Sequence, residues 1–166
     1  MKLYDTLTDL LGEARTYDRH ISFIDGESDE SRLAFGDLWE RAHALLGALQ
    51  AKGMQAGDEL VIFSKSNESF VIAFWAAVLG GIVPVPVAVG ISDEHRLKLF
   101  RIVSQLERAT LFTEMDLLER LLEFAEKQEL DDITHLLETR TALMSDVEPT
   151  MHGELHPATP DDIAFI

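Results

Sequence analysis

Between Asp58 and Val87 the chain reads DELVIFSKSNESFVIAFWAAVLGGIVPVPV, and this stretch dictates its architecture. Leu60 to Phe63 is a short apolar run behind a Gly-Asp turn, the pattern of a buried strand. SKSN, Ser64 to Asn67, is a polar break rich in helix-starting residues. Phe70 to Leu79 is an apolar block closed by Gly80 and Gly81, and Ile82 to Val89 is a β-branched run carrying Pro84 and Pro86. The order is strand, turn, buried helix, glycine stop, strand. No charge falls between Phe70 and Ile91, a length that could cross a bilayer. Gly80, Gly81, Pro84 and Pro86 break that run, and an unbroken helix of about 13 residues is too short to span. No basic cluster flanks it to set an orientation, so a core helix and a buried strand are expected, without a membrane span.

The flanking segments extend the alternation. Leu3, Leu7, Leu10 and Leu11 sit at helical spacing. Ile21 to Ile24 and Arg32 to Phe35 flank the polar turn DGESDES, which predicts a β-hairpin. From Gly36 to Lys52, Leu38, Ala42, Leu45, Leu46 and Leu49 form one helical stripe, which Gly53 ends. Ser92 caps a helix whose first turn carries Asp93 and Glu94 and whose inner face is Leu97, Phe100, Val103 and Leu106. Ala109 to Phe112 reads as a strand. Thr113 with Asp116 spells a capping box ahead of a leucine-rich helix running to about Gln128, with pairs Asp116–Arg120 and Glu123–Lys127. Residues 131–140 can form a further short helix, and Val147 to Pro160 is a loop before DDIAFI opens a new strand. Strands alternating with helices predict one α/β domain over residues 1–166, a mostly parallel sheet flanked by helices with a small N-terminal hairpin. A domain seldom stops inside an apolar strand such as Ile163 to Ile166, so a piece of a longer protein is expected. That open edge invites self-association.

Composition removes several functions. No cysteine is present, which excludes disulfides, thiolate metal sites and a cysteine nucleophile. The net charge of −16 repels nucleic acid and anionic lipid. From Glu114 to Glu148, eleven acids face three bases, half of that excess, which reads as a solvated helical surface. MKLYDTLTDLL lacks the continuous apolar core of a signal peptide, so a cytoplasmic protein is the default.

Candidate sites are sparse. No phosphate-cradling glycine loop occurs, and Gly80-Gly81 reads as a helix stop. His152 and His156 are four apart, but Gly153 and Pro157 argue against the helix a metal pair needs. Asp131-Asp132 and Asp161-Asp162 are neighbours, which point apart on a helix or strand; the latter pair should mark the start of the final strand. Trp39 and Trp75 have apolar neighbours and read as core. No metal site and no catalytic residue is expected. Ser64, Lys65, Ser66 and Asn67 are the substrate-cleft candidates, because they follow a strand at its carboxyl end, where ligands of α/β sheets collect. The competing role for Ser66 or Asn67 is a plain helix cap.

RLAFGDLWERAHALLGALQAKGMQAGDELVIF, SNESFVIAFWAAVLGGIVPVPV, EHRLKLFRIVSQLERATLFTE and TPDDIAFI, in that order, resemble the N-terminal part of the adenylate-forming superfamily: acyl-CoA synthetases, non-ribosomal peptide synthetase adenylation domains and fatty acyl-AMP ligases. PDDIAFI is similar to the approach to the phosphate loop in the fatty acyl-AMP ligase branch, although PVPVAVGIS lacks the Tyr-Pro that commonly follows the Val-Pro strand. The resemblance implies a parent enzyme of polyketide or non-ribosomal peptide biosynthesis. It would join a carboxylate to AMP, using ATP and Mg²⁺ and releasing pyrophosphate, and pass the acyl group to a thiol of a carrier protein or CoA. The implied phosphate loop, ribose-binding Asp and catalytic Lys would all lie beyond Ile166. No cofactor is expected on this piece, which should be inactive alone and should pair with the remainder of the enzyme. A function of another class is a non-catalytic α/β interaction module that uses its acidic helices.

Overall fold

The computed structural model describes residues 4–25, 29–90 and 92–166. Two layers of helix enclose a sheet. α1 (Leu7–Ala14) leads into a hairpin of β1 (His20–Asp25) and β2 (Asp29–Ala34), followed by α2 (Phe35–Ala51). The remaining elements alternate: β3 (Glu59–Ile62), α3 (Asn67–Leu79), β4 (Val83–Pro86), α4 (Asp93–Gln105), β5 (Thr110–Thr113), α5 (Met115–Lys127), α6 (Asp131–Thr139) and β6 (Thr141–Leu143). β3 to β6 form a parallel sheet in the order β4-β3-β5-β6, with Ile62 opposite Pro86 and Phe112.

Period two in the strands builds the two cores. Leu60, Ile62 and Phe112 face α2 and α3, packing with Leu45, Leu46, Leu49, Ile72 and Ala76. Val61, Phe63 and Leu111 face the other way, against Leu99, Val103, Leu121, Phe124 and Leu137 of α4, α5 and α6. Ser66 and Ser92 cap α3 and α4 by accepting from the N–H of Ser69 and His95. α2 stops where Gly53 takes φ +92, as an αL terminator does. Leu3 of the expected first helix lies outside the described residues, and Leu11 is that helix's buried anchor.

Three local expectations are corrected. Thr113 does not cap α5. It is the last ladder residue of β5, opposite Leu143, with its side chain buried, and Glu114 takes the cap position. Asp116 turns to Lys65 for its ion pair. DDIAFI does not form a strand: Asp161 and Asp162 close a turn, and residues 163–166 run irregularly and exposed. The neighbouring edge explains this. β4 presents Pro84 and Pro86 outward, so that edge offers carbonyls but no N–H groups. One backbone bond forms, from Ile166 N–H to the Pro84 carbonyl at 3.2 Å, and no ladder can follow it.

Residues 151–158 run as an extended strap across α2 and the end of α3. Gly153 N–H donates to the His43 carbonyl at 3.1 Å, and His156 N–H to that of Leu79 at 2.8 Å. The Gln50 amide grips the backbone of Glu154 in both directions, at 2.8 and 2.7 Å.

Candidate functional site

β3 and β5 are adjacent and parallel, so their carboxyl ends lie side by side. Ser64, Lys65, Ser66 and Asn67 leave one end; Glu114 and Asp116 leave the other. Phe63 N–H, donating to the Phe112 carbonyl at 2.9 Å, locks the two exits together. A serine hydroxyl carries a single proton, and that of Ser64 goes to the Glu114 carboxylate, the charged acceptor within reach. The same carboxylate lies 3.3 Å from Lys65 N and 3.4 Å from Ser66 N, so it gathers the turn around itself. Ser66 N–H also donates to Ser64 Oγ at 3.2 Å, and Ser66 Oγ accepts from Ser69 N at 3.1 Å. Lys65 Nζ pairs with Asp116, and its ammonium, foremost, holds that carboxyl below the usual aspartate range. Asn67 is exposed at the start of α3, with no side-chain hydrogen bond among the described residues. Arg41 pairs with Glu68 and ties α2 to the first turn of α3.

The structure therefore brings Ser64, Lys65 and Ser66 into one polar knot and leaves Asn67 facing solvent. Sequence reasoning missed Glu114 and Asp116. The rule that singled out SKSN applies equally to the residue after β5, because parallel neighbours end together. A small pocket of about 60 Å³ opens beside the knot, lined by Phe63, Gly90, Arg96 and Arg120 among others. Gly90 packs so closely on the His95 ring that an added Cβ would lie 2.1 Å from it.

The other candidates disperse. The His152 ring sits 5.2 Å from that of His43, while His156 Nε2 lies 3.1 Å from Asp162 Oδ2. Thr159 bonds, backbone first, keep the Asp162 carboxyl below its ordinary value. Among the described residues no three metal-ligating side chains cluster. Asp131 and Asp132 open α6. Trp39 is buried beneath the Arg15 guanidinium, 4.4 Å from its ring, and Trp75 packs half-buried on the core. Glu114 and Asp116 are already engaged by Ser64 and Lys65, so the residues at this end do not fit a nucleotide phosphate with its Mg²⁺. Among the described residues no helix is long and apolar enough to cross a membrane.

The profile of a family described as AMP-binding enzyme matches residues 12–166. The chain belongs to that family. The adenylation domain of a keto acid-selecting NRPS module, solved with a keto acyl adenylate, overlays with TM-score 0.80 at 31% identity, covering 98% of this chain and 30% of that one. The fatty acid AMP ligase of Legionella pneumophila overlays with TM-score 0.80 over 98% of this chain and 27% of its own, at 17% identity, a likeness of fold alone. Atromentin synthetase of Tapinella panuoides is 34% identical over 97 residues, 55% of this chain and 10% of the relative. The chain thus spans about a tenth of that relative and under a third of the solved chains.

Proposed function

We propose that residues 1–166 are the N-terminal part of a carboxylate-activating ligase, which forms an acyl-adenylate from ATP and hands the acyl group to a thiol. The observation that carries this reading is the family match over 12–166 together with an overlay that leaves almost none of the chain unmatched. The role of this part is positional. Glu114 fixes the Ser64–Ser66 turn, Ser66 starts α3, and the Lys65–Asp116 pair braces the rim, so the knot forms one wall of the acyl cleft. ATP, Mg²⁺ and the acyl-transfer groups would be met by the remainder of the enzyme, and this part alone would be inactive. Within the family, the fatty acyl-AMP ligase branch rests on the look of PDDIAFI and a fold-level overlay. The higher identity to a keto acid-selecting module favours a synthetase module that delivers to a carrier protein.

The test is carboxylate-dependent exchange of labelled pyrophosphate into ATP by the full reading frame, across fatty, keto and amino acids. Exchange with one class confirms the reading and names the branch. An intact full-length protein that exchanges with none overturns it.

A further inference from the structure

Residues 159–166 lie beside the β4 edge without joining it. Pro84 and Pro86 deny them a ladder, and Ile166 N–H to the Pro84 carbonyl is their single backbone bond to the sheet among the described residues. Packing does not fix them either. Ile163 and Ala164 border a cavity of about 150 Å³ whose other walls include Thr8 of α1, Val78 of α3 and Ile82. The Thr8 hydroxyl there is buried without a hydrogen-bond partner among the described residues. Groups that line a void lack contacts on that side. Phe165 rests on Phe74 but stays exposed.

The bond that ties this segment back to the fold comes from His156, which is itself fixed from two sides. Its N–H donates to the Leu79 carbonyl at 2.8 Å. Its ring presses on Gly81, where an added Cβ would lie 2.5 Å from Cγ. Gly81 is held in turn, at φ +64 with its carbonyl accepting from Gly57 N–H at 2.8 Å. From this base the His156 Nε2 lies 3.1 Å from Asp162 Oδ2. Thr159 N–H and hydroxyl also donate to the Asp162 carboxyl, at 2.9 and 3.1 Å, and keep it ionised. A carboxylate only accepts, so Nε2 carries the proton and donates it. The two side chains are 29% and 41% exposed, so charge attraction adds little. What the bond supplies is register. It ties the Thr159–Asp162 turn, from which residues 163–166 depart, to the Gly80-Gly81 stop of α3.

We propose that His156 is a positioning residue of the ligase. Its bond to Asp162 sets the line on which residues 163–166 leave the sheet edge, and so the placement of the remainder of the enzyme that meets ATP. This rests on the reading above, in which the ATP-binding part follows this segment. The Ser64–Glu114 knot shares no residue with the His156–Asp162 bond, so effects on ATP and on the carboxylate should separate.

The full reading frame is assayed by pyrophosphate exchange with ATP and carboxylate varied separately. His156→Leu should raise KM for ATP by about threefold, what a half-exposed polar pair is worth, and leave KM for the carboxylate unchanged. His156→Gln keeps a donor near the Nε2 position and should recover most of the loss. Asp162→Ala should raise KM for ATP as well, and adding His156→Leu to it should cost nothing further, since the bond is already gone. In the 166-residue chain, the heteronuclear NOE of residues 159–166 should fall in His156→Leu while residues 151–155 stay ordered. Equal rises in both KM values, no recovery with Gln, or an unchanged NOE overturns the proposal. A wild type that exchanges with no carboxylate overturns the ligase reading instead, and the NOE then decides alone whether His156 fixes the segment.

Discussion

Thr113 is 1% exposed, and its hydroxyl finds no hydrogen-bond partner among the described residues, although the Ser64–Glu114 knot begins one residue later. A buried hydroxyl left unpaired costs about 1–3 kcal/mol of desolvation. Thr113→Val keeps the shape and removes the group, so it should stabilise the chain by about 1 kcal/mol, raising Tm by roughly 2–4 °C. A fall in Tm on thermal unfolding would show that the hydroxyl is bonded after all. The same residue shows what local spacing can and cannot convey. Thr113 and Asp116 spell a capping box, but the ladder to Leu143 claims the Thr113 backbone and Lys65 claims the Asp116 carboxylate. Lys65 lies 51 residues from Asp116, and no local pattern encodes that contact. Ser66 and Ser92 were legible as caps because a cap bonds three residues ahead, within the reach of sequence.

Among the elements, most helices and strands followed from period and punctuation, since apolar spacing and glycine stops act locally. The three-residue β6 carried too short a signal to be read, and DDIAFI carried a strand pattern without forming a strand. The strap at 151–158 did not follow from such signals either. Gly153 and Pro157 mark it as a loop, which it is, but its fixing to α2 rests on Gln50 and His43, 104 and 110 residues away from their partners. The contact is close because glycine meets glycine. A Cβ on Gly153 would lie 2.8 Å from Gly47 N and 2.4 Å from Leu46 Cγ. Backbone cannot turn aside as a side-chain tip can, so Gly153→Ala should destabilise by about 1–3 kcal/mol, the usual cost of overpacking. It should also raise amide exchange across 151–158 while the sheet stays protected. Unchanged exchange in the strap would mean that α2 gives way cheaply. The polar knot was half legible for a related reason: SKSN follows a strand visible in sequence, but its pairing with Glu114 depends on which strand lies beside β3.

For the whole molecule, surface chemistry sets two tendencies against each other. Ile163, Phe165 and Ile166 are 65%, 60% and 59% exposed, and Phe165 rests 6.1 Å from the half-buried Phe74 of α3. The outer face of α3 extends the patch through Phe70 and Val71, because this helix has no charged residue after Glu68. Contiguous apolar surface of this kind favours association. The net charge of −16 opposes it through repulsion that salt screens beyond about 8 Å at physiological ionic strength. Self-association of the 166-residue chain should therefore strengthen with added salt. It should proceed by face-to-face burial rather than strand addition, since Pro84 and Pro86 strip the sheet edge of donors. Sedimentation velocity should show a concentration-dependent dimer at high salt, and Phe165→Ser with Ile166→Ser should restore the monomer. A wild-type chain that stays monomeric under those conditions would show that the charge governs. A dimer that survives both substitutions would place the contact elsewhere, with the acidic surface of α5 and α6 then poorly suited to self-contact because like charges would meet.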